Sequence, residues 1–291
     1  MAEIRYSPGL IISSFLLFFV FLSLMGFLAS IRPPKILSSI TPGDLGLAYE
    51  DISFTTKDGL RLRGWFIPSM AEYAETVILL HGYPADKGNI LPILAFLSRE
   101  YNLLLFDFRY LGKSEGKIST AGAKETEDLL AAIRFLKARG IEGVGVWGFS
   151  LGGAVALMTA KQAPEIRVII SESSYARMDL MARELYRIPL LKYPLAYLTG
   201  LLAKIFLGID LRDVSPAESA KGLDIPILLV HSKNDRVIPF EHAVLLQEAL
   251  KNNPNAEFWF EDNLAHGQLG GEYQKRILEF FSRGSLGKRN Q

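Results

Sequence analysis

Gly148-Phe149-Ser150-Leu151-Gly152 is the stretch that decides the fold of this 291-residue chain. It follows an apolar, β-like run at 143–147 and precedes a helix-forming run. A serine between a strand and a helix, with glycines two residues before and after it, is typical of a sharp turn that presents a nucleophile. Such a turn projects the hydroxyl above a sheet, and the glycines let the strand and the helix pass closely.

Short apolar runs alternate with helical periodicity on both sides of this turn. This alternation predicts an α/β fold with a mostly parallel central sheet and helices on both faces. A hairpin is expected to precede the parallel strands, at 52–55 and 60–63 around Gly59. The predicted parallel strands are 76–80, 103–106, 144–147, 168–170, 227–230 and 258–260.

One interval, 175–222, is too long for an ordinary crossover between strands. Its leucines and tyrosines have helical spacing, interrupted by Pro189 and Pro194, which predicts a helical cap inserted into the domain. The whole domain is expected to span 47–291, with a frayed tail at 284–291.

The N-terminus predicts a membrane anchor at 1–32. No charged residue occurs between Arg5 and Arg32, and about 20 apolar residues are enough to cross a bilayer. A cleaved signal peptide is the alternative, but it has a shorter apolar stretch and a small-x-small cleavage site, which 23–31 lacks. The basic flanks favour a single-pass anchor with the domain on the cytoplasmic side, connected by a proline-marked linker at 33–46.

Composition excludes several classes of function. Lys+Arg 32 against Asp+Glu 31 gives a net charge of +1. Without an excess of positive charge to attract phosphates, nucleic acid is not expected as a partner. The absence of cysteine excludes disulfides, thiolate metal sites and a cysteine nucleophile. The histidine spacing matches no metal motif and no glycine-rich phosphate loop is present, so neither a metal nor a cofactor is predicted.

A reactive Ser150 needs a base and a group that orients the base. His266 follows the last apolar run and precedes an amphipathic helix, and Asp235 lies just past the strand that ends at Val230. The order serine, acid, histidine along the chain therefore predicts a catalytic triad of these three residues.

Other candidates for these roles were weighed. His231 and His242 are expected to be packed or solvated residues, and Glu172 is the rival acid. Asp107 and Arg109 are expected to form a local ion pair that orders a turn, with no part in catalysis.

Acyl transfer also requires donors for a developing oxyanion. The backbone amide of Leu151, at a helix N-terminus, is one candidate. The second is the amide of Tyr83 in the loop that follows the strand at 76–80. Alone, His81-Gly82 would indicate only a simple turn.

The chain resembles the α/β-hydrolase superfamily, in particular its esterase, lipase and serine-aminopeptidase branches and its small membrane-anchored members. The resemblance covers about 52–281 and depends on His81-Gly82, 107–109 with 112–116, 148–153, 225–239 and His266. Relatives have glycine directly after the Asp-x-Arg motif where this chain has Tyr110, so a local difference in that turn is expected.

By this resemblance the family's nucleophile is Ser150, its acid Asp235, its base His266, and its oxyanion amides those of Tyr83 and Leu151. The implied function is a membrane-anchored serine hydrolase that cleaves small-molecule carboxylic esters through an acyl-enzyme. Short esters are the leading substrates, and lipid-like acyl esters are a further class. A serine peptidase of the same fold and a non-catalytic, membrane-tethered binding protein remain open as alternatives.

Overall fold

The computed structural model of the protein describes residues 7–72, 74–186 and 188–284. The tail that is expected to fray, 284–291, lies outside these residues except for Gly284. Arg5, one of the basic residues that flank the predicted anchor, also lies outside them. Nine α-helices occur in the described part of the chain: α1 (Pro8–Ile31), α2 (Lys87–Leu94), α3 (Glu125–Lys137), α4 (Leu151–Thr159), α5 (Met178–Glu184), α6 (Lys192–Leu207), α7 (Pro216–Ala220), α8 (Phe240–Ala249) and α9 (Tyr273–Arg283).

Eight strands of the described residues form one sheet in the order β1-β2-β4-β3-β5-β6-β7-β8. The first two strands form the predicted hairpin, β2 is antiparallel to β4, and all later pairs are parallel. The predicted α/β class is therefore confirmed. The strands are β1 (Glu50–Thr55), β2 (Arg61–Ile67), β3 (Thr76–Leu80), β4 (Asn102–Phe106), β5 (Val144–Phe149), β6 (Ile166–Glu172), β7 (Ile227–Ser232) and β8 (Ala256–Glu261).

Helices cover both faces of the sheet, because the central strands are apolar on both sides. One face packs against α3, α4, α7 and α8 through residues such as Leu129, Val155 and Leu246. The other face packs against α2 and α9 through Leu91 and Ile277. Burial on both faces explains why β3 shows no alternation of polar and apolar residues.

The carboxyl ends of the parallel strands meet at one edge of the sheet. The loops that leave this edge carry Tyr83 after β3, Ser150 after β5, Asp235 after β7 and His266 after β8. Ligands of open α/β sheets bind at this edge, so the topology collects the candidate residues where a site is expected.

The interval between β6 and β7 contains α5 and α6, and the apolar helix α1 packs against α6. Among the described helices α1 alone is long and apolar enough to span a membrane, with 24 residues and a mean hydropathy of 2.5 in its most apolar window. Only 12% of that window is buried inside the protein. The division into anchor, linker and capped domain stays a prediction.

Candidate active site

The turn at Ser150 has the strained backbone that the sequence predicts. Ser150 has φ 54° and ψ −112°, a region that non-glycine residues rarely adopt, and it directly precedes α4. Its backbone N–H donates to the carbonyl of Glu172 at 2.8 Å, which fixes the turn to β6. The serine side chain is thereby held at the carboxyl edge of the sheet.

The glycines of this turn are required by close approach of backbone segments. A Cβ on Gly148 would lie 2.3 Å from the carbonyl carbon of Gly152, and one on Gly152 would lie 2.4 Å from the carbonyl oxygen of Leu80. Real Cβ atoms do not approach backbone so closely, so β3, β5 and α4 can meet here only because both side chains are absent.

Asp235 and His266 lie in contact. Nδ1 of His266 is 2.6 Å from Oδ2 of Asp235, and the amides of Val237 and Ile238 donate to the other carboxylate oxygen at 2.8 and 2.9 Å. Burial raises the pKa of Asp235, but the hydrogen bonds from His266 and from the two amides outweigh it and hold that pKa below its ordinary value. The ionised carboxylate is therefore suited to orient an imidazole.

Ser150 and His266 lie in neighbouring segments without a hydrogen bond between them in the described part of the chain. The imidazole of His266 packs against Phe149, the residue before the serine, with 4.7 Å between the ring centroids. Catalytic hydrogen bonds are often long in unliganded enzymes and tighten when substrate binds. The serine–histidine contact stays a prediction.

The two predicted oxyanion amides lie in segments next to the side chain of Ser150. Among the described residues, neither the backbone N–H of Tyr83 nor that of Leu151 donates a hydrogen bond. The loop of Tyr83 lies against the serine, since a Cβ on Gly82 would be 3.3 Å from the Cβ of Ser150. Two such donors beside a serine hydroxyl can donate hydrogen bonds to a negatively charged oxygen.

His81 has a structural role that sequence reasoning missed. The amide of Phe108 donates to its Nε2 at 3.0 Å, so the proton is on Nδ1, which donates to the carbonyl of Gly82 at 2.7 Å. Burial lowers the pKa of His81, which favours this neutral form. The imidazole thereby fixes the backbone just before Tyr83.

The remaining histidines are packed, as expected. His231 is buried with Nε2 2.9 Å from the carbonyl oxygen of Ile238, and burial lowers its pKa. His242 accepts a hydrogen bond from the amide of Ala176, and burial lowers its pKa to about 4. Both imidazoles are neutral near pH 7.

The rival acid, Glu172, is engaged elsewhere. Its carboxylate accepts a hydrogen bond from the hydroxyl of Tyr273, which in turn accepts one from the indole N–H of Trp147 at 3.0 Å. Burial raises the pKa of Glu172 to about 7. Among the described residues it makes no hydrogen bond to His266, whereas Asp235 does.

The prediction that Asp107 and Arg109 form an ion pair with each other is wrong. Lys87 pairs with Asp107 at 2.7 Å, and Arg109 pairs with Asp128 at 2.7 Å and with Asp58 at 2.9 Å. Residues two apart in a continuous strand would point to the same side, but β4 ends at Phe106, and beyond it these two side chains face different partners. Each group is neutralised by a distant segment.

The turn after Arg109 retains a backbone that glycine would adopt easily. Tyr110 has φ 68°, so the side chain is accommodated in the left-handed region. Its hydroxyl donates to the carbonyl of Pro33 at 2.8 Å, which fastens this turn to the segment that follows α1.

A cavity of about 290 Å³ opens beside Ser150. Its lining is mostly apolar and comes from three places: the sheet edge, α5 and α6, and the last turns of α1. A contribution from α1 is not predictable from sequence, because a uniformly apolar helix does not reveal which of its sides is covered. Within 7–72, 74–186 and 188–284, no group of three or more His, Asp or Glu side chains is placed to hold a metal ion.

A mostly parallel sheet with a strained serine turn at its centre is the architecture of α/β hydrolases. The profile of the alpha/beta hydrolase fold matches residues 75–207. Protein YfhR of Escherichia coli strain K12, itself uncharacterized, is 33% identical over 246 residues, which are 79% of this chain and 80% of that protein. The hydrolase domain-containing protein WAV2 of Arabidopsis thaliana is 29% identical over 87% of this chain and 84% of its own.

A solved structure gives the same result. The esterase Pf2001 of Pyrococcus furiosus superposes with a TM-score of 0.72 and 31% identity, over 88% of this chain and 100% of that one. The chain belongs to the α/β-hydrolase family. Its esterase neighbour supports a hydrolytic activity.

We expect Gly152→Ala to destabilise the fold by about 1 to 3 kcal/mol, because the added methyl would overlap the carbonyl of Leu80. Thermal unfolding of the full chain in detergent measures this. Gly271→Ala is the matched control, since its Cβ would have nothing within 4 Å. Equal unfolding temperatures for the two variants would contradict the close packing of the turn.

We expect Glu172→Gln to change how stability depends on pH. The pKa of Glu172 rises from 4.5 to about 7 on folding, so the folded state holds its proton more tightly and loses stability as pH rises across that interval. The amide of the variant cannot ionise, so the variant does not lose this stability. The difference in free energy of unfolding between variant and wild type should therefore be up to about 3 kcal/mol more in favour of the variant at pH 8 than at pH 4.

Unfolding temperatures at both pH values test this, with the exposed Glu142→Gln as control. An identical pH dependence for Glu172→Gln and wild type would show that the carboxyl titrates normally.

Proposed function

We propose that this protein is a membrane-anchored serine hydrolase that cleaves carboxylic esters through Ser150, His266 and Asp235. The observation that carries the proposal is the hydrogen bond between Asp235 and His266 at the sheet edge that also holds the strained Ser150 turn. The similarity to the Pyrococcus furiosus esterase favours an ester over an amide as the bond cleaved. No observation specifically favours a peptidase.

In this mechanism His266 takes the proton of Ser150 as its oxygen attacks the ester carbonyl. The carbonyl oxygen becomes negative and accepts hydrogen bonds from the amides of Tyr83 and Leu151. Collapse of the tetrahedral intermediate expels the alcohol, which receives the proton from His266. Water activated by the same imidazole then hydrolyses the acyl-serine, while Asp235 holds the imidazolium.

The proposal includes α1 as a single-pass anchor that places the hydrolase domain on the cytoplasmic side. Length, hydropathy and the small buried fraction of α1 support the anchor, and the basic residues in the flanking sequence favour the cytoplasmic side. Most of the apolar surface of this helix is not covered by protein, and such a surface is stable in the hydrocarbon core of a bilayer.

The nucleophile is tested by covalent labelling of the full chain with a fluorophosphonate probe. We expect Ser150 to be labelled and Ser150→Ala to lose both labelling and ester turnover. We expect Asp235→Asn to lower kcat by a factor on the order of 10⁴, because the imidazole loses its orienting carboxylate. Ser53→Ala, which removes the hydroxyl of an exposed serine away from the cavity, is the control for serine removal.

Paired p-nitrophenyl acyl esters and aminoacyl p-nitroanilides separate an esterase from a peptidase. Faster turnover of the anilides would reverse the assignment of the bond. An unlabelled wild-type protein would leave the non-catalytic binding protein as the function.

The orientation is tested with a single cysteine, because the chain contains none of its own. In Lys251→Cys the thiol is exposed on the domain. We expect a membrane-impermeant maleimide to label it only after the cells are permeabilised, and the protein to stay in the membrane pellet after carbonate washing. Labelling in intact cells would place the domain outside, and release by carbonate would contradict the anchor.

A further inference from the structure

The last turn of α1 is fixed to the domain by hydrogen bonds to its backbone carbonyls. The hydroxyl of Tyr83 donates to the carbonyl of Ser30 at 2.7 Å, and the amide of Ser119 donates to the carbonyl of Ile31 at 2.9 Å. Both are carbonyls that a helix C-terminus leaves unpaired. Burial raises the pKa of Tyr83, so the phenol stays protonated and able to donate. This end of the helix cannot move independently of the proposed oxyanion loop.

The segment after α1 continues this attachment. Pro33 accepts from Tyr110, Lys35 donates to the carbonyl of Ser114 at 3.3 Å, and the amide of Ser38 donates to Asp86 at 2.8 Å. Five hydrogen bonds within the nine residues 30–38 therefore hold this segment against the domain. The position of α1 relative to Ser150 is therefore set by the fold.

One side of α1 is buried against the cap helices. The hydroxyl of Ser23, which is fully buried, donates to the carbonyl of Leu195 at 3.3 Å, and the hydroxyl of Tyr186 donates to the carbonyl of Ser23 at the same distance. Phe27 is 3% exposed and stacks with Phe206 of α6, with 6.2 Å between centroids. The buried residues Ser23 and Phe27 of α1 lie in its C-terminal half.

The same side of α1 faces the cavity beside Ser150. Phe27, Ser30 and Ile31 line it together with Ser150 and Leu151. Without α1 one side of this apolar cavity would be open to its surroundings. An apolar cavity that begins at a nucleophile and its oxyanion donors is suited to hold the acyl part of an ester.

The outer surface of the cap is apolar where it adjoins α1. The connection between α5 and α6 exposes Leu190, and the outer side of α6 exposes Tyr197, Ile205 and Phe206. Large exposed apolar patches mark interaction surfaces. Because Phe206 also stacks with Phe27, this patch is continuous with a helix that is suited to a bilayer, and lipid is the partner that fits both.

We propose that the last turns of α1 form a wall of the acyl-chain pocket, where Phe27, Ser30 and Ile31 select the chain of an ester drawn from the surrounding bilayer. The inference rests on the proposed function, since it requires Ser150 to cleave esters. The helix that anchors the protein is then also a specificity element of its active site.

The test compares chain-length profiles of the full-length protein in phosphatidylcholine nanodiscs, using p-nitrophenyl acetate, butyrate, octanoate and decanoate. Ser30→Phe fills the cavity, and Ala29→Phe adds the same ring to an exposed neighbour on the same turn. Phe27→Ala widens the cavity, and Phe21→Ala removes an exposed ring from the same helix.

We expect wild type to prefer octanoate or decanoate over acetate. We expect Ser30→Phe to lower kcat/KM for decanoate relative to acetate by at least about tenfold, since each methylene kept out of an apolar pocket costs roughly fourfold in binding. Phe27→Ala should shift the preference toward longer chains. Both control variants should keep the wild-type profile, and acetate turnover verifies that each variant is folded.

Identical profiles for Ser30→Phe and Ala29→Phe, with ester turnover intact, would overturn the pocket wall and leave the proposed function standing. A wild-type preference for acetate would equally overturn the acyl pocket. Absence of both turnover and fluorophosphonate labelling in wild type would instead contradict the proposed function itself.

Discussion

The backbone of Ser150 is the constraint on which the site depends. A non-glycine residue in its conformation costs about 1 to 3 kcal/mol, and the surrounding structure must hold it there. The restraint comes from the hydrogen bond of its amide to β6 and from the close contact of β3, β5 and α4 that Gly148 and Gly152 allow. Two of the strands in contact with this turn, β3 and β6, end at the proposed oxyanion loop and at Glu172. A relaxed turn would therefore displace the serine and its neighbours together.

Burial separates the four histidines into different roles. His81, His231 and His242 are each at most 3% exposed, and their ring nitrogens bond to backbone groups, which holds them neutral and fixed. The side chain of His266 is 17% exposed and has a carboxylate on one nitrogen. Among the described histidines, His266 is the one with a ring nitrogen hydrogen-bonded to a carboxylate, which is the arrangement that the proposed general base requires.

Local patterns predicted the strands because each carries its own apolar run, and β3 was predicted to the residue. The position of the loops at the carboxyl edge followed from the predicted strands, because parallel strands direct their carboxyl ends to one side. The partners of Asp107 and Arg109 were not predictable, because Lys87, Asp128 and Asp58 reach them only through the tertiary fold. The buried side of α1 was equally hidden, since all its sides are apolar and only the cap decides which one is covered.

The contact between Ser23 and Leu195 joins positions 172 residues apart. Contacts between such distant positions form late in folding, because the intervening chain must first be ordered. A ribosome that has released α1 must still synthesise the β1–β2 hairpin, the four parallel strands β3 to β6 and the first part of the cap before this contact can exist. The cavity beside Ser150, whose lining extends to Ile238, is therefore enclosed only after the cap and the loop beyond β7 have been made. A chain that still lacks these segments exposes its serine without a shaped pocket around it.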